Sequence, residues 1–407
     1  MRKNTVLFIV LLSVLFRPIQ GEEKPLSLQE AVTTALQHNP EIVRAQHALE
    51  EARGRRLQSE ARPEPRLALS TEGVPFSLKT ADTTEINFGL EQPIEFPGKQ
   101  PLRAKVGRYG EDIAGLELEH AHLIVIARVK KAYWRAVLSE RTVTSLETLT
   151  GLLDEMIDSS LIRYQAGTAA YGDVLRVRVE KARLQNEAIE ARREREAAKA
   201  ELSLLLGGRS GDPVSLTTDM VFVPLDWTLE DVKVAARASR PSLRIAALRV
   251  EQAGTAAELA AKNRLPDFSF GLFFPSIRLN AWGIAFGLSL PLSKARTEGE
   301  RLEAAARHAS SLAAVEAQAR RLDALVETAY GSVRAAGDQV NLFERELLTE
   351  MEEEIRSGLT QYQYGKIESY SLLDLHRTYA AAKLERLRAL FLYLSGLADL
   401  EAAGEEN

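Results

Sequence analysis

The residues best suited to chemistry are six histidines, His38, His47, His120, His122, His308 and His376. His120 and His122 are the closest pair. Two residues apart on a helix, they point to different faces, which is a poor arrangement for holding a metal. The sequence therefore predicts solvated surface histidines and no metal site. The 407-residue chain has no cysteine, which removes disulfides, thiolate nucleophiles and thiolate metal sites. It has no Gly-x-x-x-x-Gly-Lys phosphate loop, so nucleotide hydrolysis is not expected. The Glu and Arg residues crowded between 180 and 201 read as the outside of a charged coiled coil. A net charge of −5 leaves no basic surplus for a nucleic-acid partner. No catalytic constellation and no cofactor site is expected, so the chain does not read as an enzyme.

One pattern does recur, and it is a turn. Tyr164-Gln165-Ala166-Gly167 returns as Tyr362-Gln363-Tyr364-Gly365. Each glycine follows a long apolar-patterned stretch and precedes another, which fits a helix end where φ > 0 is needed. Other matches keep nearly the same offset. Asn39-Pro40 answers to Arg240-Pro241, Gly89-Leu90 and Pro93 to Gly287-Leu288 and Pro291, and Val129, Ala132 and Tyr133 to Val326, Ala329 and Tyr330. The chain is written twice, with a period far beyond that of solenoid repeats. The expected halves are 22–212 and 213–407. Each holds a helix of about thirty residues, two short strands and a long helical hairpin. Residues 1–21 read as a secretory signal. Arg2 and Lys3 precede an apolar run over 6–16 that is too short to span a bilayer. An uncleaved anchor is the alternative.

The strands are read from period-2 alternation. Leu67, Leu69 and Thr71 alternate with Ala68, Ser70 and Glu72, and Ile86, Phe88 and Leu90 with Asn87, Gly89 and Glu91. In the second half Phe268, Phe270, Leu272 and Phe274 alternate with Ser269, Gly271 and Phe273. Trp282, Ile284, Phe286, Leu288 and Leu290 alternate with Gly283, Ala285, Gly287 and Ser289. Bulky apolar side chains on one face and small or polar ones on the other fit a membrane barrel, at about nine to eleven residues per strand. A half-buried sheet in a soluble protein is the other reading. Four strands cannot close a barrel, and an open edge in lipid costs several kcal/mol per unpaired group. Strands in the membrane would thus have to be pooled between copies.

The helices follow from the prolines, which stop at Pro101 and resume only from Pro213 to Pro291. The stretches 102–212 and 292–407 contain none, so nearly continuous helix is expected in both. Leu322, Val326, Ala329, Val333, Ala336, Val340, Phe343 and Leu347 are spaced alternately three and four apart, as helices lying along one another require. Taken alone these helices also fit a periplasmic coiled-coil adaptor or spacer without a pore. The strands set between them argue for a duct.

Together these residues resemble the TolC-type outer-membrane efflux family over nearly the whole chain after residue 21. The marks are Leu28-Gln29-Glu30-Ala31 with Asn39-Pro40, the duplicated strand pairs, Arg163-Tyr164-x-x-Gly167 through Asp173-Val174-Leu175, and Tyr362-x-x-Gly365 through Leu372-Leu373-Asp374. The resemblance implies a mainly helical fold with a small β part. It implies a homotrimer with a shared twelve-stranded barrel in outer-membrane lipid and a helical tunnel in the periplasm. It further implies a periplasmic membrane-fusion adaptor and an inner-membrane pump as partners. The hairpin tips, with Tyr164, Gly167, Thr168, Tyr362, Gly365 and Lys366, would be the entrance that meets the adaptor, unless the tyrosines and glycines only shape the turns. Asp374 matches an inward constricting carboxylate, and a ring of such groups would favour cations. The family's other aspartate position is Ser371 here, and a solvated surface aspartate is the alternative for Asp374. Gln92-Pro93-Ile94-Glu95-Phe96-Pro97-Gly98-Lys99 resembles the strand-to-helix junction of the cobalt–zinc–cadmium branch, which would imply a resistance-nodulation-division pump. There Pro97 and Gly98 would make the bend, and Lys99 is expected at headgroup level.

Overall fold

A computed structural model describes residues 24–72, 85–209, 214–275, 281–343 and 345–404. The signal-peptide reading at 1–21 lies outside the described residues.

The first half starts with β1 (Lys24–Leu26), then α1 (Leu28–His38), α2 (Pro40–Glu60), β2 (Arg66–Glu72), β3 (Glu85–Ile94), α3 (Lys99–Gln165) and α4 (Tyr171–Leu205). The second half has β4 (Val214–Leu216), α5 (Leu229–Ser239), α6 (Pro241–Lys262), β5 (Asp267–Phe274), β6 (Gly283–Ser289), α7 (Lys294–Leu342), α8 (Arg345–Gln363) and α9 (Ser369–Gly404). The element order of the first half therefore recurs, with one extra break.

The single thirty-residue helix expected at the start of each half is two helices. Pro40 has no N–H to continue α1, so it opens α2 at the first helical position. Asn39 caps that start, its Oδ1 accepting from Glu41 N at 2.8 Å, and its Nδ2 donates to Leu205 O at 2.8 Å. Arg240-Pro241 makes the same break in the second half. Both first helices open with a capping box, Ser27 with Glu30 and Thr228 with Asp231.

Helix α3 has 67 residues and is unbroken, about 100 Å at 1.5 Å per residue. Its counterpart is interrupted. α7 ends at Leu342, and α8 begins at Arg345. Phe343 leaves the helical region at φ −100° and ψ 55°. No proline marks this break, and the apolar spacing runs through it, so the nearly continuous helix expected over 292–407 is interrupted at Phe343 as well as at the Gly365 turn.

Two three-residue strands, β1 and β4, pair in parallel and were not expected. They are too short to show alternation. Tyr133 on α3 binds them into the helices: its hydroxyl donates to Leu26 O and accepts from Thr218 N, both at 2.9 Å. Tyr330, the same position of the second half, donates to Trp227 O at 3.1 Å. Tyr133 lies in an apolar core with Val129, Ala136, Leu202 and Leu390. A second core, nearer the tips, holds Leu149, Leu153, Val177, Tyr362 and Leu372.

The other four strands form one antiparallel sheet in the order β2-β3-β5-β6. The two halves meet at its centre, where Phe88 faces Phe274 and Leu90 faces Leu272. Outside that seam, Leu67 faces Leu90, and Leu272 faces Ile284. Because side chains alternate along a strand, this register puts Leu67, Leu69, Phe88, Leu90, Leu272, Ile284, Phe286 and Leu288 on one face. Ala68, Ser70, Gly89, Glu91, Gly271, Ala285 and Gly287 share the other. The strands have 7, 10, 8 and 7 residues, so three are shorter than expected. β6 stops at Ser289, opposite the first residue of β5.

Candidate functional site: the hairpin tips, the strand-to-helix junction and the apolar sheet face

The two tips are built alike. Gly167 and Gly365 each have φ +73°, the left-handed conformation that glycine takes most cheaply. At the first tip Thr168 N donates to Arg163 O and Gly167 N to Tyr164 O, both at 2.9 Å. At the second, Lys366 N donates to Gln361 O at 2.8 Å and Gly365 N to Tyr362 O at 3.0 Å. These paired bonds satisfy the last carbonyls of each helix. Thr168 Oγ1 adds a bond to Arg163 O at 3.0 Å.

The repeated tyrosines have separate fates. Tyr362 is 1% exposed, and its hydroxyl meets Ser160 Oγ at 3.0 Å. Tyr164 is exposed and lies 5.3 Å from Tyr171, ring to ring. Arg163 joins the two tips. Its guanidinium sits 4.5 Å above the Tyr362 ring, and Nη1 donates to Tyr362 O at 3.0 Å. Sequence reasoning did not single out Arg163 as a site residue, although it belongs to the repeated motif. It also missed Tyr171, Tyr364 and Tyr370, which are exposed around the tips. Lys366 is exposed beside them.

Asp374 lies nine residues beyond Gly365 on α9, on the exposed side with Ser371, while Leu372 and Leu373 between them are buried. Three residues further, Arg377 donates to Glu180 on α4 at 2.6 Å. Glu180 is buried, which corrects its expected place on a charged exterior. The histidine expectation also needs correction. His376 is 0% exposed and its Nε2 meets Leu149 O at 3.0 Å. A carbonyl only accepts, so Nε2 carries the proton. Nδ1 is buried with no partner. Burial holds this imidazole below its ordinary basicity. His120 is half-buried and is shifted the same way, by burial and then by Arg240. No group of three or more His, Asp or Glu able to hold a metal occurs among the described residues.

At the junction, Gly98 turns the chain with φ +91°, and Lys99 N donates to Phe96 O at 3.1 Å. Lys99 itself is buried. Its ammonium donates to Asp267 Oδ1 and Leu265 O, both at 2.8 Å, and Asp267 Oδ1 also accepts from Phe96 N at 2.8 Å. The ion pair lies inside the protein, between the first half's β3–α3 turn and the start of β5. Arg103 and Gln100 donate to the last carbonyls of α2, at Ser59, Glu60 and Ala61. Sheet and helices are thereby fixed to one another.

Among the described residues nothing covers the bulky sheet face. Leu67, Leu69, Leu90, Ile284, Phe286 and Leu288 are all exposed, Phe286 at 82%. A contiguous apolar face of this kind is uncommon on a soluble monomer. No helix among the described residues is long and apolar enough to cross a membrane.

An apolar sheet carried on long helical hairpins defines a membrane-inserted duct component. The chain belongs to the outer membrane efflux protein family, whose model matches residues 31–208 and again 233–403. It is similar to the cobalt-zinc-cadmium resistance protein CzcC of Cupriavidus metallidurans, with 23% identity over 90% of this chain and 87% of that one. Among solved structures it is similar to CusC, with a TM-score of 0.79 and 17% identity over 93% and 92% of the two chains. It is also similar to the open state of the MtrE outer-membrane channel of Neisseria gonorrhoeae, with a TM-score of 0.78 and 18% identity over 92% and 88%. The protein is accordingly an outer-membrane efflux channel component with a periplasmic helical domain, and not an enzyme.

Proposed function

We propose that three copies of this chain form a passive export duct, pooling their sheets into a twelve-stranded barrel and their hairpins into a periplasmic tunnel. The observation that carries this reading is the four-stranded sheet with one apolar face and two open edges, an arrangement lipid tolerates only when neighbours close it. Residues 22–212 and 213–407 act as the two repeats of each subunit, behind a leader at 1–21. Metal ions or small molecules enter at the tips, where Tyr164, Gly167, Thr168, Tyr362, Gly365 and Lys366 meet a periplasmic membrane-fusion adaptor. An inner-membrane pump of the resistance-nodulation-division type supplies the energy. Metal cargo is favoured by the likeness to a cobalt-zinc-cadmium resistance protein over 90% of the chain, and by the exposed Asp374, whose ring would attract cations. A pore-less coiled-coil adaptor would have no use for the apolar sheet face.

The test is mass determination in detergent with conductance in planar bilayers. A trimer that carries current with a cation preference, weakened in Asp374→Asn, is expected. A water-soluble, non-conducting monomer or dimer would refute the duct. A conducting trimer whose ion preference is unchanged by Asp374→Asn would refute the constriction alone.

A further inference from the structure

Arg240, at the start of α6, is a buried cation without a counter-charge. It is 8% exposed, and its Nε and Nη1 have no hydrogen-bond partner. Burial lowers its basicity, with no carboxylate acting the other way. An arginine does not shed its proton in a protein, so the charge stays, and a buried charge left unpaired is strongly destabilising. The repeat shows what is missing. Asn39 and Glu41 correspond to Arg240 and Ser242 at an offset of 201. In the first half Asn39 Oδ1 accepts from Glu41 N, and Glu41 sets a negative charge in the first turn of α2, where the helix dipole favours one. The start of α6 has no side-chain cap and no acidic residue in its first turn. The acceptor and the negative charge have both gone, and a cation stands in their place.

A cavity of about 570 Å³ opens beside this helix start, lined by Ser242 and Arg249 of α6, Glu117 and His120 of α3, and Arg307 and Arg321 of α7. Arg240 immediately precedes the stretch of α6 that lines it. It is close enough to His120 for its charge to lower that ring's basicity, and Nδ1 of His120 is also buried without a partner. Arg249 is neutralised by Glu117 at 2.8 Å, and Arg307 by Glu303 at 2.7 Å. Around the cavity that leaves Arg240 and Arg321 with no ion pair among the described residues. We propose that this cavity binds a small tetrahedral oxyanion of the phosphate class at the start of α6, with the Ser242 N–H and hydroxyl as donors and Arg240 as the counter-charge. A helix start offers free N–H groups and the positive end of its dipole to such an ion. The anion takes the place that Asn39 Oδ1 and the Glu41 carboxylate hold in the first half. It is a free anion and not a lipid headgroup. The 22 residues of α6 put about 33 Å between its start and the sheet at 1.5 Å per residue, whereas headgroups add only about 5–8 Å to each side of the hydrocarbon. A carboxylate from a neighbouring copy is disfavoured, because α6 is flanked by α3 and α7 of its own chain. The site lies within one chain and does not depend on the assembly proposed above.

Isothermal titration calorimetry reads the site, with the purified protein in detergent and inorganic phosphate as titrant at fixed ionic strength. Wild type should bind one phosphate per chain, and sulfate should compete. Arg240→Met should weaken binding by at least about tenfold, the loss expected when the one counter-charge is removed. Ser242→Asp separates that loss from misfolding. It sets a carboxylate where Glu41 stands in the first half, so it should abolish phosphate binding and raise the melting midpoint above that of phosphate-free wild type. Arg296→Gln removes an exposed arginine paired with Glu300 on its own helix and should bind phosphate as wild type does. No saturable binding to wild type would overturn the site and leave a carboxylate of a neighbouring copy as the partner of Arg240. Binding retained in both Arg240→Met and Ser242→Asp would put the anion elsewhere and overturn it as well. Equal weakening in Arg296→Gln and Arg240→Met would reveal general charge attraction in place of a site.

Discussion

Replacing Asp267 with alanine should loosen the connection between sheet and helices by a calculable amount. The substitution removes a carboxylate oxygen that accepts from Lys99 Nζ and Phe96 N, both at 2.8 Å. Lys99 stays behind with a side chain only 7% exposed and one remaining acceptor, Leu265 O. Stripping the partner from a fully buried charge costs about 3–5 kcal/mol. The Asp267 side chain is 42% exposed, so water would reach part of the space it vacates, and about 2–3 kcal/mol is a fairer figure. Asparagine keeps an oxygen for both donors but not the charge, and should cost about 1 kcal/mol. If the 407-residue chain melts as one unit with an unfolding entropy of ~2.1 cal/mol/K per residue, each kcal/mol lowers the midpoint by about 1 °C. Circular dichroism melts in detergent should then show alanine about 3 °C below wild type and asparagine about 1 °C below. Lys99→Met, which removes the buried charge along with its bonds, should be milder than Asp267→Ala. An alanine variant no less stable than the asparagine variant would refute the claim that the pair joins the two halves.

Acidification should weaken the contact of α9 with α3. Burial depresses the basicity of His376 in the folded chain, so below about pH 6.5 the unfolded chain binds the extra proton first. Stability is whole above that value and is lost as pH falls towards the folded value. Melting midpoints between about pH 7.5 and pH 5.5 should fall less steeply in His376→Gln than in wild type, with part of the slope retained because His120 is shifted the same way. An unchanged slope would contradict this account. At the tips, Gly167→Ala and Gly365→Ala should each cost about 1 kcal/mol, since alanine resists the left-handed conformation. A Cβ on Gly167 meets nothing within 4 Å, so its cost is conformational. Gly167→Asn should recover much of the loss, and equal melting midpoints for the alanine and asparagine variants would contradict that origin.

Much of the fold was legible because it rests on periodic signals. The alternation in 267–274 and 283–289 located β5 and β6, and the repeated glycines marked both helix ends. What escaped was non-periodic. The break after Leu342 leaves the apolar spacing intact and has no proline to announce it. β1 and β4 are three residues each and depend on Tyr133, more than a hundred residues from β1. The buried state of Glu180, His376 and Lys99 is set by partners on distant elements, Arg377, Leu149 and Asp267, which no local window contains. Divergence between the repeats hid more. Asn39 caps α2, whereas the buried Nε and Nη1 of Arg240 at the same position have no hydrogen-bond partner. Tyr164 and Tyr362 share a motif, yet only Tyr362 is buried.

The unequal first arms of the two hairpins give the subunit unequal stiffness. A helix resists bending through its i→i−4 hydrogen bonds. α3 carries that ladder unbroken from Gly98 to the first tip, so a push at this tip travels along one strut to the Lys99–Asp267 joint. The second arm covers a comparable distance as two pieces, α7 and α8, and Phe343 at the end of the first lies outside the helical region. A sideways load on the second tip can be taken up at Phe343 before it reaches the sheet. The subunit is thus a rigid strut beside a jointed one, tied near their free ends by Arg163.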